Sequence, residues 1–122
     1  MPGTGTKVAL ELKRGDVVVS VVSGDYGKPR PAVIVQADLF NPTHASITIC
    51  PLTSHFVDAP LFRIPVEPGS GTGIRVLSHL MIDKVMSVPR ERIGKKIGRV
   101  PGPVLRHIDE ALRLWLDIRN QV

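Results

Sequence analysis

The sequence lacks the residues that would make it a disulfide scaffold, a membrane protein or an aromatic nucleic-acid platform. Cys50 is the only cysteine in 122 residues, so an internal disulfide is excluded and a reducing compartment is expected. Aromatic residues make up 4% of the chain, which disfavours an extended base-stacking surface. No apolar run reaches the roughly 18 residues of a membrane span, and residues 1–7 lack the apolar middle of a signal peptide. We therefore expect a cytoplasmic protein with no membrane contact.

Sequence patterns for metals and nucleotides are also missing. Cys50, His44 and His55 do not form a known ligand spacing, and no Cys-x-x-Cys occurs. We therefore expect no metal and no cofactor. Residues 67–73 are rich in glycine, but no Gly-Lys-Ser/Thr follows them. They predict a strand connection rather than a phosphate-binding loop.

The composition favours one globular domain that attracts polyanions. A chain of 122 residues with 43% hydrophobic residues can bury a single core. The formal net charge is +5 and the pI is about 9.9. RNA and DNA are the common partners of such a basic domain.

Short apolar runs separated by turn residues predict β-strands along most of the chain. The first hairpin combines β-branched valines at positions 17–19, 21 and 22, a turn at 23–27 and an apolar run at 32–35. Asn41-Pro42 predicts a turn, and Ile47 and Ile49 are expected to face the same side of the next strand. The other predicted elements are a short lead-in at 7–12, strands at 45–52 and 61–66, either a strand pair or one long strand over 74–77 and 79–88, and a turn or short helix at 89–92.

The C-terminal segment has the apolar spacing of a helix. Pro103 suits a first helical turn, and apolar residues then recur every three or four positions at Val104, Leu105, Ile108, Ala111, Leu112, Trp115 and Ile118. We expect Trp115 in the core and an Asp109–Arg113 ion pair on the solvent face. The resulting fold class is mostly β with helices (α+β): a small antiparallel barrel or curled sheet with a C-terminal helix. Residues 1–12 are a tail and lead-in, and residues 13–122 are the single domain.

Arg30 lies between Pro29 and Pro31, at the start of the second predicted strand. A residue before proline is restricted to extended conformations, and Pro31 suits a strand start or edge. The two prolines therefore hold this arginine stiffly. A planar guanidinium that stays charged can bind phosphate through two hydrogen bonds.

The order of three motifs resembles the MazF/PemK family of toxin endoribonucleases. The first is Arg14-Gly15-Asp16-Val17-Val18 with residues 27–35, the second is residues 49–54, and the third runs from Met81 to Leu112. The resemblance implies an SH3-like barrel that forms a homodimer. It also implies metal-independent cleavage of single-stranded mRNA, leaving a 2′,3′-cyclic phosphate and a 5′-hydroxyl. The expected partners are RNA and an acidic antitoxin, with which such toxins bind DNA.

The resemblance also implies roles for individual residues. Arg30 and Thr53 correspond to the catalytic residues of the family, and Thr53 would donate its hydroxyl to the scissile phosphate. The expected substrate contacts are Lys28, Ser54, His55, Ser78, Asp83 and Lys84. Lys84 stands where many members have glutamine, so the RNA sequence preference does not transfer. Asp83 would orient Arg30 or Lys84, or pair elsewhere on the surface. A general base is not evident, and of the four histidines only His55 adjoins a site motif.

Two other functions stay open at this point. A gyrase poison similar to CcdB shares the implied fold, although its Trp-Gly-Ile ending is absent from Asn120-Gln121-Val122. A non-catalytic RNA-binding barrel would bind RNA with steep salt dependence but leave it uncut. The basic run at 90–99 fits either a backbone-tracking surface or a solvated face with Ile93 and Ile97 turned inward.

Overall fold

The computed structural model describes residues 11–21 and 28–119. The expected tail, most of the lead-in at 7–12, the turn at 23–27 and the last three residues lie outside this part of the chain. The described elements are β1 (Asp16–Val21), β2 (Pro29–Ile34), β3 (Ser46–Thr53), β4 (Arg63–Val66), β5 (Ser78–Met81), a 3-10 helix (Ile82–Lys84), β6 (Met86–Pro89), a second 3-10 helix (Arg90–Arg92), β7 (Ile93–Arg99) and α1 (Gly102–Trp115).

The strands form one curled antiparallel sheet in the order β4-β5-β3-β2-β1-β7, with β6 paired to the other half of β3. Strand β3 is long enough to pair with β2 and also with β5 at one end and β6 at the other. Within the described residues β4 and β7 are edges, so the sheet stays open. The predicted class, a curled antiparallel sheet with a C-terminal helix, is confirmed.

Alternation along the strands produces two hydrophobic cores, one on each face of the sheet. Val17 belongs to the core that α1 covers, whereas its neighbour Val18 belongs to the other core. Ile47 and Ile49 share that second core, as expected from their spacing. Successive side chains in a strand point to opposite faces, so each core takes every second residue of the valine- and isoleucine-rich strands.

Two predicted strand boundaries are wrong. Residues 74–77 are not a strand, and the run from His79 to Val88 is divided by the 3-10 helix Ile82–Lys84. The second strand is divided because its two halves have different partners. The four residues of β5 pair with β4, whereas β6 pairs with residues 46–49 of β3. The predicted short helix at 89–92 is confirmed.

Helix α1 is shorter and less buried at its end than the apolar spacing predicts. It ends at Trp115, and Asp117 adopts a left-handed φ of 54°. Ile118 therefore lies beyond the helix and is 56% exposed. Trp115 packs against Phe62 with ring centroids 5.4 Å apart, yet stays 46% exposed, so its assignment to the core is wrong.

The predicted Asp109–Arg113 pair is also replaced by a longer-range contact. Asp109 pairs with Arg14, whose Nη1 lies 2.6 Å from the carboxylate. Arg14 also donates from Nε to the Val35 carbonyl at 2.8 Å. One guanidinium thus ties the start of β1 to α1, which the local i, i+4 rule could not anticipate.

Asp16 is fully buried and joins β1 to β7. Its Oδ2 accepts the backbone N–H of Lys13 at 2.8 Å, and its Oδ1 lies 3.0 Å from Arg99 Nη1 and 3.3 Å from Lys96 Nζ. The carboxylate therefore closes the turn before β1 and neutralises the basic β7 edge. Lys96 and Arg99 are about half exposed, so water can solvate them if the carboxylate is lost.

We expect Asp16→Asn to lower the free energy of unfolding by about 2 kcal/mol, because a buried carboxylate with three partners is replaced by a weaker acceptor. Urea denaturation at pH 7 measures the change. Asp58→Asn is the matched control, since Asp58 is exposed and should shift stability by less than about 0.5 kcal/mol. Equal effects of the two substitutions would contradict this account of Asp16.

Candidate active site

A cavity of about 630 Å³ opens where β2, β3 and β5 meet. This volume is large enough for a small ligand or a nucleotide unit. Its lining residues are Arg30, Pro31, Pro51, Leu52, Thr53, Ser54, Val76, Ser78, Met81, Lys84 and Met86. Arg30 and Lys84 are cationic, and no carboxylate is among these lining residues of the described chain, so the cavity favours an anion.

Arg30 and Thr53 meet in this cavity because β2 and β3 are neighbours. The β2–β3 register pairs Ala32 with Pro51 and Val33 with Cys50. Arg30 lies two residues from Ala32 on β2, and Thr53 lies two residues from Pro51 on β3. Side chains two residues apart share a face, so both project from the side of the sheet on which Pro51 lies.

The prolines around Arg30 are part of β2 rather than of a separate turn. Pro29 is opposite Val21 and Pro31 is opposite Val19, so Arg30 is opposite Ser20 in a regular ladder. The fixed proline φ angles and the ladder together restrict the backbone on both sides of Arg30. The side chain itself is exposed. A residue with a restricted backbone and an exposed guanidinium is suited to binding a ligand, and it does not contribute to the hydrophobic core.

Thr53 ends β3 and is half-buried. Its Oγ1 accepts the backbone N–H of His55 at 3.1 Å. A hydroxyl has two acceptor lone pairs and one hydrogen, so this bond leaves the hydrogen for a ligand in the cavity. Pro51 does not disturb the strand, because its pairing with Ala32 keeps the β2–β3 register continuous.

The predicted substrate contacts divide into two groups. Ser54, Ser78 and Lys84 line the cavity, whereas Lys28, His55 and Asp83 are absent from its lining. Ser78 is buried, and its hydroxyl donates to the Val76 carbonyl at 3.0 Å. Lys28 and His55 are exposed, and their roles stay predictions.

Asp83 points away from the cavity and binds Arg63 of β4. Arg63 Nε donates to Oδ1 at 2.8 Å, and Nη2 donates to Oδ2 at 3.1 Å. Hydrogen bonding from Arg63 lowers the pKa of the Asp83 carboxyl below its ordinary value. Asp83 therefore pairs with a residue other than Arg30 or Lys84, but this pair is largely buried and does not lie on the surface as expected. Lys84, the next residue of the same 3-10 helix, lines the cavity instead.

Sequence reasoning missed the apolar wall of the cavity. Pro31, Val76, Met81 and Met86 come from four different segments and meet only through strand pairing. Thioethers and aliphatic side chains of this kind can hold a base by dispersion contacts. Since single exposed apolar residues are ordinary, no signal in the sequence marked them.

Cys50 is buried in β3, and burial raises the pKa of its thiol to about 12. It therefore stays protonated and is not a nucleophile. In the described part of the chain, no cluster of three His, Cys, Asp or Glu side chains is placed to hold a metal. Nor is any helix there long and apolar enough to cross a membrane.

The model of the PemK-like, MazF-like toxins of type II toxin–antitoxin systems matches residues 13–116. The chain therefore belongs to this family. A probable endoribonuclease MazF of Mycolicibacterium smegmatis is 44% identical over 108 residues, which cover 88% of this chain and 98% of the relative. Endoribonuclease MazF9 of Mycobacterium tuberculosis is 34% identical over 94 residues, covering 73% and 79% of the two chains.

Solved structures share the fold. A mycobacterial endoribonuclease in complex with its cognate antitoxin superposes with a TM-score of 0.75 at 19% identity, covering 90% of this chain and 99% of that one. MazF in a MazE–MazF complex of Deinococcus radiodurans gives 0.73 at 20% identity, covering 90% and 99%. At these identities the likeness concerns the fold alone.

Proposed function

We propose that this protein is a metal-independent endoribonuclease toxin that cleaves single-stranded mRNA at the cavity between β2, β3 and β5. The observation that carries the proposal is that Arg30 and Thr53 line one cavity, together with Lys84, Ser54 and Ser78. The curated relatives named as endoribonucleases align over most of the chain and support the same activity.

The cavity offers the groups that intramolecular phosphoryl transfer requires. The 2′-oxygen attacks the adjacent phosphorus, the bond to the 5′-oxygen breaks, and a 2′,3′-cyclic phosphate and a 5′-hydroxyl result. Negative charge grows on the phosphoryl oxygens in the transition state. Arg30 would bind those oxygens through its fork of N–H groups, and the Thr53 hydroxyl would donate a further hydrogen bond.

The other cavity residues would hold the RNA around the scissile phosphate. Lys84 and the serine hydroxyls supply polar contacts, and the apolar wall of Pro31, Val76, Met81 and Met86 accommodates a base face. Recognition of single-stranded RNA commonly combines such stacking with hydrogen bonds to base edges. Lys28 and His55, which lie outside the lining, would contact RNA that extends beyond the cavity.

The proposed setting is a cytoplasmic toxin–antitoxin pair. Solved structures with this fold include a complex of an endoribonuclease with its antitoxin and a complex of MazF with MazE. By analogy, an acidic antitoxin segment would cover the cationic cavity and suppress cleavage. The active form would be a homodimer, and the toxin–antitoxin complex would bind DNA.

Incubation of the purified protein with a long single-stranded RNA in excess chelator tests the activity. We expect cleavage at a restricted set of sites, with 5′-hydroxyl ends that polynucleotide kinase labels and 2′,3′-cyclic phosphate ends. Uncut RNA, or cleavage only after metal is restored, would contradict the proposal. Trapped gyrase–DNA complexes with intact RNA would indicate a gyrase poison, and salt-dependent binding without cleavage would indicate an RNA-binding barrel.

A further inference from the structure

His79 is a buried side chain beside Thr53 that the proposed cleavage mechanism does not yet use. It lies on β5, and the β3–β5 register places it directly opposite Thr53. Cross-strand partners have Cβ atoms about 4.5–5.5 Å apart on the same face of the sheet. The imidazole is therefore next to the threonine side chain, although His79 is not among the residues that line the cavity.

Burial of the imidazole lowers the stability of the fold, and its packing contacts do not explain why a histidine occupies this position. His79 is 8% exposed, and its Nδ1 is buried without a hydrogen-bond partner among the described residues. Phe56 covers the ring in an edge contact, with centroids 5.3 Å apart and planes inclined at 66°. Because an unpaired buried polar atom destabilises the fold, an aliphatic residue would be the more stable choice in this strand.

Thr53 has one acceptor position that can satisfy this nitrogen. Its Oγ1 accepts the His55 N–H at 3.1 Å, and a hydroxyl oxygen has a second lone pair. If a second donor occupied this lone pair, the Thr53 hydroxyl hydrogen could point in only one direction. In the proposed mechanism that hydrogen must point at the phosphate. Hydrogen bonds in active sites often tighten only when substrate is bound.

We propose that His79 is a positioning residue for RNA cleavage, which donates from Nδ1–H to Thr53 Oγ1 when RNA is bound and so directs the Thr53 hydroxyl at the scissile phosphate. This inference rests on the proposed endoribonuclease function. Because Nδ1 is buried, water does not compete for it. His79 does not touch the RNA, and its effect passes entirely through Thr53.

Three substitutions at position 79 separate positioning from packing. His79→Leu removes the donor, and we expect kcat to fall about tenfold with KM unchanged, since one hydrogen bond is lost. His79→Asn keeps a donor near Nδ1 and should restore most of kcat, whereas His79→Gln, whose amide lies near Nε2, should not. His107→Leu, on the exposed surface of α1, is the control and should leave kcat unchanged.

Thermal unfolding distinguishes a positioning role of His79 from a purely structural one, because a structural role predicts a lower unfolding temperature for His79→Leu. His79→Leu should unfold at an equal or higher temperature, because it removes an unpaired buried nitrogen. In a Thr53→Val background, His79→Leu should lower the residual rate no further. A lower unfolding temperature with unchanged kcat, or equal effects of His79→Leu in both backgrounds, would overturn the proposal.

A second readout does not depend on cleavage. NMR spectra of the protein bound to fully 2′-O-methylated RNA should show a slowly exchanging Nδ1–H proton on the His79 ring, absent in the Thr53→Val protein. No such signal in the wild-type complex would reject the positioning role even if the enzyme cleaves RNA. The signal in a protein that leaves RNA uncut would instead reject the proposed function and retain the contact.

Discussion

Arg30→Ala is expected to reduce RNA cleavage at least a hundredfold while the protein stays folded under the assay conditions. Preorganised donors aimed at the developing charge commonly contribute factors of about 10²–10³ in rate, and Arg30 is an exposed cation in the cavity that also contains Thr53. Because the guanidinium is outside both hydrophobic cores, its removal should not disturb packing. Single-turnover cleavage of a labelled RNA in chelator measures the rate, and calorimetry measures stability.

Arg30→Lys distinguishes charge from geometry at the same position. Lysine keeps the positive charge but loses the planar fork, so we expect it to recover only part of the lost rate. Arg113→Ala is the matched control, because Arg113 is exposed on α1. This substitution removes the same charge from a surface outside the cavity. If Arg113→Ala slowed cleavage as much as Arg30→Ala, net charge rather than position would explain the effect. Undiminished cleavage by Arg30→Ala would exclude Arg30 from catalysis.

The strands and the site differ in how far the sequence predicts them. Runs of β-branched residues such as Val17–Val19 and Ile47–Ile49 define their own secondary structure, so the curled sheet and the terminal helix follow from local pattern. The placement of Arg30 and Thr53 in one cavity depends on the register of β2 and β3. Register depends on all side chains of both strands at once, so residue periodicity does not predict that Arg30 and Thr53 lie together. The family resemblance implies it instead.

The contacts that were missed all join residues far apart in the chain. His79 is distant in sequence from Thr53, and only the β3–β5 pairing makes the two residues neighbours. Helical spacing favours Arg113 as the partner of Asp109, but Arg14, in the turn before β1, binds it instead. Likewise, the helix ends before Ile118 through a left-handed Asp117, a conformation for which glycine is the usual signal. Local rules therefore fail wherever tertiary contacts offer a better partner.

The Arg63–Asp83 pair is the contact whose loss should cost the most stability. Both side chains are largely buried, with 10% and 18% of their surfaces exposed, and two hydrogen bonds join them. We expect Asp83→Asn to lower the free energy of unfolding by about 3–5 kcal/mol, because Arg63 is left buried without its counter-charge. Urea denaturation at pH 7 measures the change. The double variant Arg63→Met/Asp83→Leu should recover most of it, since it removes both charges together.

The same pair predicts a pH dependence whose sign follows from the pKa of Asp83. Binding to Arg63 lowers the pKa of that carboxyl in the folded protein, so the folded state holds the charged form more strongly than the unfolded chain does. The stabilisation is then fully present above the unfolded pKa of about 4 and is lost as the pH falls through the lower folded value. The stability difference between wild type and Asp83→Asn should therefore be constant from pH 7 to about pH 5 and shrink below about pH 4. A difference that stays constant into strong acid would mean that the carboxylate charge is not what Arg63 requires, and that Asp83 acts through its shape alone.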